Sequence, residues 1–121
     1  MQRILLVAGE TTPPHVVRRA LERWGYAVDQ TGHSAEAVRL FEREPVDLVI
    51  VDLGLPARAG IESIARIRDV DDDVPIISLG GPDDIAATEA LAVGASLPLD
   101  KPFAPDELWV AIGWLLGRRP R

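Results

Sequence analysis

The chain has 121 residues, enough for one domain with its own core, and its 47% hydrophobic content excludes a chain too polar to fold. It has no cysteine and only two histidines, which excludes disulfides and thiolate chemistry and leaves little for a zinc site. A net charge of −6 argues against nucleic acid as a direct partner, and no apolar run approaches the ~20 residues of a membrane span. The expectation is a single cytoplasmic domain over residues 1–121, with 117–121 a tail or the start of a linker.

Ile4 to Ala8 is a continuous apolar run, as for a strand covered on both faces. Thr11 and Thr12 can cap, and Pro13 and Pro14 can start, a helix whose Val16, Val17, Ala20 and Leu21 recur at helical spacing and which Gly25 ends. Tyr26 to Val28 reads as a second strand. Ser34 then caps a helix from Ala35 to Arg43, with Ala37, Val38 and Phe41 facing inward. Leu48 to Val51 is the strongest strand, ended by Asp52. A loop over residues 53–59 leads to a helix from about Gly60 to Arg68, and Asp69 to Asp73 reads as a solvated acidic connector. Pro75 to Leu79 is a fourth strand. Asp83 to Val93 is an Ala-rich helix closed by Gly94, Ser96 to Asp100 a fifth strand, and Pro105 to Leu116 a last helix.

Strands alternating with helices imply a parallel sheet with helices on both faces, because parallel strands need crossover connections. Ligands of such sheets gather beyond the carboxyl ends of the strands. That singles out Ala8-Gly9-Glu10, Asp52-Leu53-Gly54, Gly80-Gly81 and Asp100-Lys101-Pro102. Lys101 is conspicuous as the single lysine beside 12 arginines.

At these residues the chain resembles a response-regulator receiver domain, the CheY-like family of two-component signalling. The resemblance runs from about Arg3 to Arg119. It rests on the apolar strand ending in Asp52, on Leu55-Pro56 and Gly60, on Gly94-Ala95, and on Lys101-Pro102-Phe103 with Glu107-Leu108 behind. It implies a flavodoxin-like doubly wound sheet of order 2-1-3-4-5. It also implies phosphoryl transfer from a histidine kinase to an Asp carboxylate, assisted by Mg²⁺ held by carboxylates, a lysine and a hydroxyl. Asp52 falls at the phosphoacceptor position and Lys101 at the phosphate-pairing position, with Pro102 after it, a bond usually cis in the family. The rest of the pocket departs from the pattern. Ala8 and Gly9 stand where an acidic pair is expected, Gly80 replaces the hydroxyl residue, and Pro98 replaces the aromatic switch residue; Glu10 matches a third family position.

Asp52 and Lys101 therefore read first as a structural ion pair and second as a working site, and Glu10 first as a solvated carboxylate and second as a substitute ligand. Ser78 lies two residues, ~6.6 Å, too deep to replace the missing hydroxyl. His15 and His33 read as surface residues. In the last helix, Leu108, Ala111, Ile112 and Leu115 form an inward stripe, yet Trp109, Gly113, Trp114 and Leu116 leave the other face apolar too. That face reads as an interface for a protein partner or for self-association. The combined expectation is an atypical receiver, not an enzyme, with weak or absent Mg²⁺ binding and no other cofactor, acting through protein contacts. One alternative is a receiver that accepts phosphate at Asp52, and another is a small nucleotide-binding α/β domain. The second lacks a glycine-rich phosphate loop after the first strand.

Overall fold

The computed structural model describes residues 2–9, 14–80 and 84–117, without the side chains of Pro14, His15 and Asp84. Five strands, β1 (Arg3–Val7), β2 (Ala27–Thr31), β3 (Leu48–Asp52), β4 (Ile76–Gly80) and β5 (Leu97–Asp100), pair in parallel in the order β2-β1-β3-β4-β5. Five helices connect and follow them: α1 (Pro14–Arg23), α2 (Ser34–Arg43), α3 (Ala59–Val70), α4 (Asp84–Val93) and α5 (Pro105–Gly117). A 3-10 turn, Pro56–Arg58, precedes α3. This is the doubly wound, flavodoxin-like fold that the family resemblance implied.

The sheet separates two apolar layers. Ile4, Leu6, Leu48, Ile50, Ile77 and Leu79 point into one, which Leu21 of α1 and Leu108, Ile112 and Leu115 of α5 complete. Leu5, Val7, Val49, Val51 and Ile76 point into the other, packed against α2 and α3 through Ala37, Phe41, Ile64 and Ile67. Because both faces are covered, the central strands carry no polar alternation, and every residue of β3 and β4 is buried.

Several boundaries differ from the sequence expectation, each for a local reason. Strand β2 runs on to Thr31 because edge position lets it carry polar residues: Asp29 is paired with Arg3 at 3.0 Å, and Gln30 hydrogen-bonds the end of β1. The N-cap of α2 is His33, without a side-chain cap bond, and Ser34 is already helical. Helix α3 continues to Val70, and the acidic connector is ordered by Asp71, whose Oδ1 accepts the backbone N–H groups of Asp73 and Val74. At the far side of that turn, Arg68 donates to the carbonyls of Gly94 and Asp71. Burial pulls its guanidinium below its ordinary pKa, with Asp71, Asp72 and Asp73 acting against that pull.

One glycine brings the functional end of the sheet together. A Cβ on Gly60 would meet the Asp52 carbonyl oxygen at 2.7 Å and Val51 Cγ1 at 3.2 Å. The first turn of α3 therefore lies directly on the last residue of β3. Gly60→Ala must push the helix off the strand, and we expect it to cost about 1–3 kcal/mol. Chemical denaturation measures this, and a variant as stable as the parent would contradict the close approach.

Candidate functional site

Three strand ends, those of β3, β4 and β5, meet at Asp52. This carboxylate is the last residue of β3 and only 7% exposed. Its Oδ1 accepts two hydrogen bonds of 2.8 Å, one from Lys101 Nζ and one from the backbone N–H of Gly54. Lys101 follows β5 directly and is held by its own N–H, which donates to the Gly80 carbonyl at 3.0 Å. Its peptide bond to Pro102 is cis, as the resemblance implied. The structure thus brings Asp52 and Lys101 together as expected from the sequence.

The end of β1 is occupied differently from what its sequence suggests. Ala8 is buried, and neither it nor Gly9 brings a side-chain oxygen. Their carbonyl oxygens are also engaged, because Gln30 Nε2 donates to Ala8 O at 3.3 Å and to Gly9 O at 3.0 Å. Arg18 of α1 steadies that amide by donating to Gln30 Oε1 at 3.4 Å. The Arg18–Gln30 link was missed in sequence because it joins α1 and β2 to a loop 21 residues upstream of Gln30. A signal existed nonetheless: a polar residue two positions beyond Val28 on an edge strand.

At the end of β4, Gly80 faces Asp100, whose Oδ1 lies 3.9 Å from where a Gly80 Cβ would stand. Among the described residues, a carboxylate rather than a hydroxyl is thus the side-chain group beside the Gly80 gap. Asp100 belongs to the strand ends singled out above, but no role followed from its sequence position. Pro98 is exposed on the edge strand β5, in register with Ser78, where a missing N–H is tolerated. Ser78 is fully buried, and its Oγ has no partner among the described residues. Glu10 and Gly81 lie outside the described residues. His33 is exposed, as expected.

Mg²⁺ takes hard oxygen donors in a near-octahedral array. Among the described residues, Asp52 is the carboxylate at this position, with Oδ1 already engaged twice. No group of three or more His, Asp or Glu residues gathers for a metal among them.

A second unusual region faces outward. Leu108, Ala111, Ile112 and Leu115 are buried, as their spacing predicts. Trp109 and Trp114 remain 52% and 51% exposed, and Val110 is 65% exposed. The two indoles diverge. Trp109 packs edge-on against Trp24 after α1, with ring centroids 5.1 Å apart, whereas Trp114 borders a shallow cleft with Leu97 and Leu99 of β5. Gly113 lies exposed between these flanks, but Leu116 does not belong to the outer face: it packs half-buried against the core. Its position was misread because the apolar stripe is wider than four residues. Across the sheet end, Ala57 and Arg58 adopt left-handed φ of 56° and 57°, and Arg58 forms an ion pair with Glu89 of α4. That hydrogen bond holds the Glu89 carboxyl below its ordinary pKa.

The family description "response regulator receiver domain" matches residues 4–113. The chain belongs to the response-regulator receiver family. Response regulator MprA of Mycobacterium leprae is 34% identical over 117 residues, which cover 96% of this chain and 51% of that protein. The corresponding protein of Mycobacterium ulcerans is 32% identical over the same length. The chain spans about half the length of the curated relatives it matches.

Solved structures agree. A response regulator of Chloroflexus aurantiacus superposes with a TM-score of 0.87 at 28% identity, covering 97% of this chain and 98% of that one. The receiver domain of the sensor histidine kinase PA1611 from Pseudomonas aeruginosa, with magnesium coordinated in its active-site cleft, gives 0.87 at 30% identity, with coverages of 96% and 98%. This receiver is therefore a module of two-component signalling. No helix among its described residues is long and apolar enough to cross a membrane.

The Asp52–Lys101 pair has a measurable weight. Asp52 is nearly covered, so removing its cation leaves a buried carboxylate with the Gly54 N–H. We expect Lys101→Met to destabilise the receiver by about 1–3 kcal/mol, and to cost clearly less in an Asp52→Asn background. Equal costs in both backgrounds, measured by denaturant titration, would show that the pair contributes nothing.

Proposed function

We propose that this receiver acts through protein contacts and that Mg²⁺-dependent phosphoryl transfer to Asp52 is impaired. The observation that carries this reading is the state of the β1 end. Ala8 and Gly9 supply no carboxylate, and Gln30 engages their carbonyls while Lys101 neutralises Asp52. Phosphoryl transfer is mostly positioning and charge neutralisation. Here an incoming phosphate meets one cation that is already paired. At an effective dielectric of 20, two unit charges ~4 Å apart attract by about 4 kcal/mol before desolvation, enough to make the pocket self-neutral. Among the described residues, the donor set does not fit a resident Mg²⁺.

A second reading keeps Asp52 as a phosphoacceptor supplied by a histidine kinase. The retained Asp52–Lys101 pair favours it, as does the magnesium in the PA1611 receiver cleft. Intact-protein mass spectrometry after acetyl phosphate and Mg²⁺ separates the two. We expect no stable mass gain and no saturable Mg²⁺ binding in the low-millimolar range. A phosphoryl adduct that disappears in Asp52→Asn establishes the second reading.

For the contacts themselves, Trp109, Gly113 and Trp114 of α5 form the outward surface, with Val110 between the flanks. Large exposed aromatic groups are favoured at interface hot spots. We expect concentration-dependent association in sedimentation, weakened by Trp109→Glu and by Trp114→Glu. A monomer at all concentrations, unchanged by either substitution, would remove self-association and leave a different protein as the partner.

A further inference from the structure

A cleft of about 560 Å³ opens between α1 and the segment leading from Lys101 into α5. Among the described residues, eight of the ten that line it are apolar, and the other two are Asp52 and Lys101. Small-molecule sites have this size and make-up: a mostly apolar wall with a few polar groups that fix orientation. The wall is built from Val16, Val17 and Ala20 of α1, facing Phe103 and Leu108. Val16 and Ala20 stand one turn apart, ~6 Å along the helix, so the wall runs lengthwise and suits an unbranched chain. Val16 is 63% exposed, which leaves apolar surface to cover.

The charged pair sets the headgroup. Of its two members, Lys101 is the accessible one, with its side chain 34% exposed against 10% for Asp52. An ammonium has three N–H donors, and among the described residues Asp52 takes one of them. We infer that the cleft binds a medium-chain monocarboxylate, its alkyl chain along α1 and its carboxylate, which brings one charge where a phosphate brings two, accepting from a Lys101 N–H that Asp52 does not take. An occupant would engage the ammonium that a phosphoryl group on Asp52 would need, so ligand and phosphate would compete. The inference stands on the cleft and Lys101, whether or not Asp52 is phosphorylated.

Titration calorimetry with octanoate, combined with amide-shift mapping of the whole chain, tests this. We expect saturable one-to-one binding with shifts centred on Val17, Ala20 and Phe103. Hexanoate, two methylenes shorter, should bind more than tenfold more weakly, since each buried methylene is worth about fourfold. Octylamine should not bind. Lys101→Met should remove most of the affinity, Ala20→Trp should block the cleft while leaving Lys101 in place, and Asp52→Asn should tighten binding by relieving repulsion of the carboxylate. Non-saturating binding, equal affinity for octanol or octylamine, or octanoate affinity unchanged in both Lys101→Met and Ala20→Trp would overturn it.

Discussion

The ion pair between Asp52 and Lys101 ties the middle of the sheet to its edge. Asp52 ends a strand that is buried on both faces, and Lys101 begins the segment that carries the chain from β5 into α5. The bond crosses 49 residues of sequence and spans the width of β4, whose last carbonyl holds the Lys101 N–H. Three strand ends are therefore fastened at one point. Gly54 adds a second donor to the same oxygen, which fixes the direction of the loop leaving β3. A carboxylate this deeply covered requires such partners, because an unpaired buried charge costs several kcal/mol.

Around that point, the two layers serve different purposes. The α1–α5 side contains the apolar cleft and the outward tryptophans, so its chemistry is that of contact surfaces. The α2–α3 side is packed through Ile64 and Ile67, and Gly60 brings α3 against the Asp52 carbonyl. One wall of the pocket is thus rigid, while the other presents hydrocarbon to solvent.

The sequence was most informative where burial dictates residue type. Strands β3 and β4 are unbroken apolar runs because both faces are covered, and the inward stripe of α5 follows from helical spacing alone. Asp52 and Lys101 were legible because each follows a strand at the end where parallel sheets gather function. Edge and turn chemistry was less legible. Asp29 and Gln30 lie beyond the strand expected to end at Val28, since nothing local shows that Arg3 and the carbonyls after β1 will satisfy them. Asp71 looked solvated because an acidic run gives no sign that one member caps the turn into β4. Leu116 was misplaced for a different reason: α5 is apolar beyond its inward stripe, so spacing alone does not mark how far the covered face extends.

Arg68 has a mechanical consequence. Its guanidinium donates to the Gly94 carbonyl from beneath the turn between α4 and β5, and a Cβ on Gly94 would meet its side chain at 2.5 Å. The same side chain reaches the Asp71 carbonyl just beyond α3. This end of α4 is consequently pinned, while its middle is held to the loop after β3 by the solvent-exposed Arg58–Glu89 bridge, a much weaker restraint. Helix α4 is clamped near Gly94 like a cantilever, and displacement arising at the Asp52 end of the sheet would swing its Asp84 end rather than translate it.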